Sequence, residues 1–199
     1  MTTSLTEQLL AQLQGAPIQQ MSQQLGLDPS QTSNAIGTAL PLLMGALGRN
    51  SAQPQGADAL FGALQRDHGG MDLGSVLGAV MGGSGQSAGA SILGHMFGGN
   101  QQRAEAGLSQ ATGLDGDRAG QLMKMLAPIV MSFLAQRMSQ GGQNSSSALG
   151  QMLGQEHAQI STQSGAGGLL GAVLDQDGDG QLGLGDLLKV GSGLFGGKR

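Results

Sequence analysis

Five oxygen-bearing residues near the C-terminus have the spacing of calcium ligands. Residues 175–186 read Asp-Gln-Asp-Gly-Asp-Gly-Gln-Leu-Gly-Leu-Gly-Asp. Calcium takes about six to eight oxygen ligands, and one short loop can surround the ion only with ligands at alternating positions. The candidate ligands are the side chains at loop positions 1, 3, 5 and 12 and the backbone carbonyl at position 7, namely Asp175, Asp177, Asp179, Asp186 and Gln181.

Other positions of this loop agree with the EF-hand pattern of calcium sites. Gly180, at position 6, stands where the chain turns sharply and where a residue that tolerates positive φ is required. Leu182, at position 8, is predicted to point into an apolar core beside the loop. A solvated Asp/Gly-rich linker is the alternative interpretation. Agreement at six positions in register, with apolar residues on both sides, favours the calcium site.

Asp186 departs from the usual pattern, which has a bidentate Glu at position 12. Its side chain is one methylene shorter, and in this respect the loop resembles the loops of dockerin domains. The shorter reach favours a weak affinity, about 10⁻⁵ to 10⁻³ M, and makes competition by magnesium easier. The preference between calcium and magnesium therefore stays open.

The acidity of the chain is concentrated in this loop. The net charge is −4, from 13 acidic against nine basic residues, and four of the acids lie within residues 175–186. Outside the loop the two signs balance, nine against nine, which indicates a local cation site and not a generally acidic surface. The chain has no cysteine, so disulfides, thiol nucleophiles and thiolate metal sites are excluded.

Other patterns that resemble functional motifs do not predict an enzyme. Two strings, residues 178–183 and 191–196, fit the dinucleotide-binding pattern G-x-G-x-x-G, but neither follows a predicted strand. The three histidines, His68, His95 and His157, are scattered, and we expect His95 to be buried and hydrogen-bonded. No Ser-His-Asp set or paired carboxylates can be proposed from the spacing, so we expect no enzymatic activity.

The segment 18–36 reads like a helix-turn-helix, with a Leu-Gly-Leu turn and a second helix rich in Ser, Gln, Thr and Asn. No Lys or Arg occurs before Arg49, whereas DNA affinity rests largely on basic side chains that neutralise phosphates. DNA binding is therefore disfavoured. The acidic pair in Asp115-Gly116-Asp117 lacks a third acid in register, and we interpret it as a helix N-cap with a favourable first-turn charge.

An internal duplication organises the helices. Residues 21–47 align without a gap on residues 108–134, and eight of the 27 positions are identical. Each copy has a glycine suited to end one helix, an aspartate suited to begin the next, and a proline inside that second helix. These residues are Gly26, Asp28 and Pro41 in the first copy and Gly113, Asp115 and Pro128 in the second.

We therefore predict an all-α, multihelical protein of two degenerate helical repeats packed on one core. Apolar residues recur at spacings of three and four, and no sustained run alternates with period two. The predicted divisions are an N-terminal helix in 1–16 that starts with the capping box Ser4-x-x-Glu7, a first repeat in 17–99, and a second in 104–197. The loop 175–186 has no counterpart in the first repeat.

Small residues spaced by four predict helix faces that pack closely against other helices. They form two rows, Gly74, Gly78 and Gly82, and Ala90, Gly94 and Gly98. Membrane contact is disfavoured because these helices have no basic face, and no apolar run reaches the length of a transmembrane helix. Without a basic and apolar signal at the N-terminus, we expect a cytoplasmic protein, although leaderless secretion would leave no such trace.

Three stretches carry a family resemblance: residues 25–31 (Leu-Gly-Leu-Asp-Pro-Ser-Gln), residues 92–98 (Ile-Leu-Gly-His-Met-Phe-Gly), and the tail with Gly-Leu-Leu-Gly before Asp-Gln-Asp-Gly-Asp-Gly. Together they resemble the bacterial domain-of-unknown-function family nine-three-seven, related to YidB-like proteins. The resemblance implies an all-helical fold. It implies no activity and supplies no catalytic residues.

The sequence leads to a non-enzymatic calcium-binding helical protein in which the ion orders or switches the C-terminal hairpin. Two alternatives stay open: a helical protein-interaction module in which calcium is only structural, and a helix-turn-helix protein associated with DNA. Calcium is the expected ligand. An unidentified protein partner or self-association is left open, and neither nucleic acid nor membrane is expected as a partner.

Overall fold

A computed structural model describes residues 4–53, 55–67, 73–83, 85–141 and 145–162 of the chain. Within these ranges there are nine α-helices, one short 3-10 helix and no strand, which confirms the all-α prediction. The α-helices are α1 Leu5–Leu13, α2 Ala16–Leu25, α3 Pro29–Ser51, α4 Gly56–Asp67, α5 Leu73–Met81, α6 Gly85–Phe97, α7 Gln101–Thr112, α8 Gly116–Gly141 and α9 Ser146–Thr162. The 3-10 helix, Gly98–Asn100, joins α6 to α7.

The N-terminal helix α1 begins with the predicted capping box. The Ser4 hydroxyl accepts a hydrogen bond from the Glu7 amide at 3.1 Å, and the Glu7 carboxylate accepts one from the Ser4 amide at 3.2 Å. These bonds satisfy two amide donors that would otherwise lack partners at the start of the helix. Leu5, Leu9 and Leu13 then recur every four residues and are buried, so α1 packs on α2 and α3 along one face.

Both predicted C-cap glycines end their helices in the left-handed conformation. Gly26 ends α2 with φ 63° and Gly113 ends α7 with φ 72°. The Gly113 amide donates to the Ser109 carbonyl at 2.9 Å, which satisfies one of the last carbonyls of α7. Glycine suits these positions because a Cβ disfavours positive φ.

The two aspartates that follow these glycines differ in what their side chains do. Asp115 accepts a hydrogen bond from the Arg118 amide at 2.8 Å, so its N-cap role is confirmed. Asp28 also stands at an N-cap position, but its side chain makes no capping bond. Instead, its backbone carbonyl accepts the Thr32 amide at 2.9 Å and the Thr32 hydroxyl at 3.0 Å. The sequence therefore predicted the N-cap position correctly in both copies, but the side-chain capping bond forms only at Asp115.

The two long helices, α3 and α8, each contain the predicted proline and form the centre of the protein. Every residue from 125 to 134 of α8 is buried, as expected of a helix with neighbours on all sides. α8 packs against α3, α4, α5, α6 and α7. Pro128 is buried in this set, whereas Pro41 of α3 is half-buried. The helices α1 to α8, with α9 as far as Ile160, belong to one compact unit.

Two helical hairpins, α2–α3 and α7–α8, each end in a long helix that contains a proline and are each followed by one more helix, α4 or α9. The helices that precede the two hairpins also resemble each other in their packing. α1 packs on α3, and α6 packs on α8, each preceding its own hairpin in the chain. Both have buried residues every four positions: Leu5, Leu9 and Leu13 in α1, and Gly85, Gly89, Leu93 and Phe97 in α6. The division into repeats at 17–99 and 104–197 stays a prediction.

Candidate functional site

The predicted calcium ligands lie outside the described residues. This applies to all five of them, Asp175, Asp177, Asp179, Gln181 and Asp186, and to His68 and both G-x-G-x-x-G strings. The loop 175–186 therefore remains the candidate site on the evidence of its sequence. The structure describes the helix that precedes it in the chain, α9, as far as Thr162.

The described residues do not form a metal site of their own. Across 4–162, apart from the gaps, no three His, Asp or Glu side chains are grouped so that they could hold a metal ion. The pair Asp115 and Asp117, which resembles half a metal loop, begins α8, and Asp115 also pairs with Arg118 at 3.3 Å. Both side chains of this ion pair are about half exposed, so the pair adds little stability.

Helix α9 is held against α3 by a close contact at Gly48. A Cβ placed on Gly48 would lie 2.9 Å from the Cβ of His157 and 3.2 Å from the Leu153 carbonyl oxygen. Such a distance is too short for a real Cβ, so this crossing requires glycine. Farther along α9, Gly150 faces Ala57 at the start of α4. The helix that precedes the loop in the chain therefore contacts α3 at Gly48 and α4 at Ala57.

Glu156 joins α9 to the N-terminal helix. Its side chain is buried, with 4% of its surface exposed. One carboxylate oxygen accepts the Leu5 amide at 2.9 Å, and the other accepts the Thr6 amide at 2.9 Å and the Thr6 hydroxyl at 2.6 Å. The first turn of α1 is a natural anion site because its amides have no partners within the helix and carry partial positive charge.

Glu156 was not predicted as a functional residue, although the spacing of apolar residues before it indicates that it is buried. Leu149 and Leu153 are buried, and Glu156 follows at the next position of the same helical face. A charged residue at a core position has to meet donors, because burying an unsatisfied carboxylate is costly. The signal predicts a buried partner, but only the structure shows that the partner is the start of α1.

The prediction that His95 is buried was wrong, while its hydrogen bond is present. The buried residues of α6 lie four apart and end with Leu93 and Phe97, so His95 falls on the opposite, exposed face. Its ring Nδ1 lies 2.7 Å from the Ser91 carbonyl oxygen. Its backbone carbonyl accepts a hydrogen bond from the Asn50 side chain at 3.2 Å, which connects α6 to α3.

A glycine of α6 makes a close contact with α8 that the sequence did not predict. No described atom of another helix lies within 4 Å of a Cβ placed on Gly78 or Gly94. The central glycine of each predicted row therefore does not make the close contact between helices that the spacing predicted. A Cβ on Gly89, by contrast, would overlap with the Lys124 carbonyl of α8. That carbonyl has no amide donor four residues later, because Pro128 stands there.

None of the helices among the described residues is both long and apolar enough to span a membrane. The model of a bacterial protein family of unknown function, DUF937, matches residues 7–137, that is 131 of the 199 residues. The match runs from α1 into α8 and leaves α9 and the loop 175–186 outside. No curated protein and no solved structure matches the chain.

Proposed function

Since this chain belongs to the DUF937 family of bacterial proteins, whose function is unknown, we propose a role from its own residues: it is a non-enzymatic helical protein that binds one calcium ion in the loop 175–186. One observation carries the proposal. Within 12 residues, four aspartates and one glycine occupy the positions at which an EF-hand loop needs carboxylates and a sharp turn. Gln181 completes the set with its backbone carbonyl.

The proposed effect of the ion is to order or switch the C-terminal segment. Without it, the carboxylates of Asp175, Asp177, Asp179 and Asp186 repel one another within one short stretch. Calcium removes this repulsion, so that binding free energy becomes local folding free energy. At a calcium concentration of about 100 times the dissociation constant, the stabilisation is about 2.7 kcal/mol.

A helical interaction module in which calcium is only structural is the second candidate. The observation that favours it is an exposed row of glycines, Gly74 and Gly78 in α5 and Gly82 directly after it. A DNA-associated helix-turn-helix protein is the weaker alternative, because the α2–α3 hairpin has no basic residue before Arg49. The relation to YidB-like proteins, the cytoplasmic location and the absence of enzymatic activity stay predictions of the sequence.

Isothermal titration calorimetry with calcium tests the proposal. The wild-type chain should bind one ion with a dissociation constant of about 10⁻⁵ to 10⁻³ M. The Asp175→Ala variant should lose the binding heat, because position 1 supplies a carboxylate and orients the loop. The matched control is Asp117→Ala, which removes an exposed aspartate from the other Asp-Gly-Asp stretch and should leave binding unchanged. Undiminished binding by Asp175→Ala would place the site elsewhere.

A further inference from the structure

Helix α1 has the features of an element that opens separately from the rest of the protein. It has nine residues, fewer than the roughly 12 to 15 that an isolated helix needs to be stable in water. Only Gln14 and Gly15 join it to α2, and Gly15 has φ 86°, a conformation that favours glycine. Its helical structure therefore depends on its contacts with other helices.

Polar contacts join α1 to both α8 and α9. The Arg137 guanidinium of α8 donates to the Gln8 side chain, and the Glu156 carboxylate of α9 accepts the three hydrogen bonds from Leu5 and Thr6. Among the described residues, no basic side chain forms an ion pair with Glu156. The start of α1 is therefore the main partner of a buried charge, and each stabilises the other.

We propose that α1 is a strap that opens as one unit and that the Glu156 carboxylate is its latch. When α1 leaves, Glu156 loses all three hydrogen-bond donors at once, and the apolar seat of Leu5, Leu9 and Leu13 on α2 and α3 is uncovered. Full opening exposes the carboxylate to water, whereas a partly detached α1 would leave it buried without donors, and this difference makes opening all-or-none. The latch joins residues 151 positions apart in the chain, so the N-terminal helix responds to the position of α9.

Hydrogen exchange of the full chain tests the strap, with the Glu156→Gln variant as the main probe. The amide group of Gln is nearly isosteric but brings an N–H₂ donor against the α1 donors and removes the charge. We expect the amides of residues 8–13 to exchange about tenfold faster or more in this variant. The amides of residues 125–134 in α8 should stay within about twofold of wild type, because the strap opens without global unfolding.

The matched control is Glu105→Gln on α7, where the carboxylate is half-buried and accepts one bond from Gln101 at 2.8 Å. It should leave the exchange of α1 unchanged. If Glu156→Gln does not fold, Thr6→Val removes only the hydroxyl donor of the latch and should raise exchange in α1 by a smaller factor, about threefold to fivefold. Unchanged exchange in α1 would overturn the latch. An equal increase in α1 and α8 would overturn the separate opening of α1.

Discussion

Buried glycines of α6 and exposed glycines on the outer face of α5 and α6 share a spacing of four residues but have different roles. Gly85 and Gly89 are buried, and a Cβ on either would collide with a neighbouring residue, Val80 or Lys124. Gly78 and Gly94 face no described atom. The difference shows that small residues at this spacing do not by themselves indicate a close contact, because a second helix must supply the complementary surface.

The complementary surface at Gly89 comes from a proline on the partner helix. Pro128 has no amide hydrogen, so it cannot bond to the Lys124 carbonyl within α8. This carbonyl then faces α6, and only a glycine can approach it closely. In α3, Pro41 likewise removes the bond to the Gly37 carbonyl, but no glycine in the described part of the chain has that carbonyl among the atoms nearest to its Cβ position. A proline inside a helix thus creates an opportunity for close packing, which α8 uses at Lys124.

Among the variants that test this comparison, Gly89→Ala is expected to change the free energy of unfolding most. The added Cβ would meet backbone atoms of the central helix α8, which cannot move away as a side chain can. We expect a loss of about 3 kcal/mol or more in the free energy of unfolding, at the upper end of overpacking effects. Urea denaturation followed by circular dichroism measures this loss. A change below about 1 kcal/mol would mean that α6 does not approach Lys124 so closely.

A smaller loss is expected from Gly113→Ala, which tests a glycine required by its backbone conformation. No described atom lies within 4 Å of a Cβ at Gly113, so the cost comes only from the φ of 72°. A non-glycine residue in this region costs about 1 to 2 kcal/mol. Gly26→Ala, at the equivalent turn with φ 63°, should lose a similar amount in the same denaturation experiment. A clear difference between the two variants would break the equivalence of the hairpins.

The smallest effect, of opposite sign, is expected from Gly94→Ala. This glycine lies inside α6 on its exposed face, where no described atom would meet the new Cβ. Alanine favours the helix by about 0.5 to 1 kcal/mol relative to glycine. The midpoint of urea unfolding should therefore rise, with an unchanged slope. A lower midpoint would show that this face is covered by a partner that the described residues do not include.

Much of the fold could be predicted because its signals are local. The capping box of Ser4 and Glu7, the turn glycines Gly26 and Gly113, and the periodicity of apolar residues each act within a few positions along the chain. Close packing could not be predicted in the same way. The Gly89 contact depends on Pro128, and which face of α6 is buried depends on where α8 lies.

The candidate calcium loop is also a local signal, since all five predicted ligands lie within 12 residues. A single loop can therefore be recognised without knowing the fold. The contacts of Glu156 are the opposite case, because its partners Leu5 and Thr6 are about 150 positions away. The sequence could indicate a buried charge on α9, but not the helix whose first turn receives it.

Amide hydrogen exchange in chelator and in millimolar calcium is the most direct test of calcium-dependent ordering in residues 175–186. We predict that amides in residues 165–195 exchange quickly in chelator and slowly in calcium, because the ion supplies the local folding free energy. Amides in residues 17–134 should change little, since the described residues hold no group of metal ligands. Exchange in 165–195 that is the same in both conditions would contradict the account.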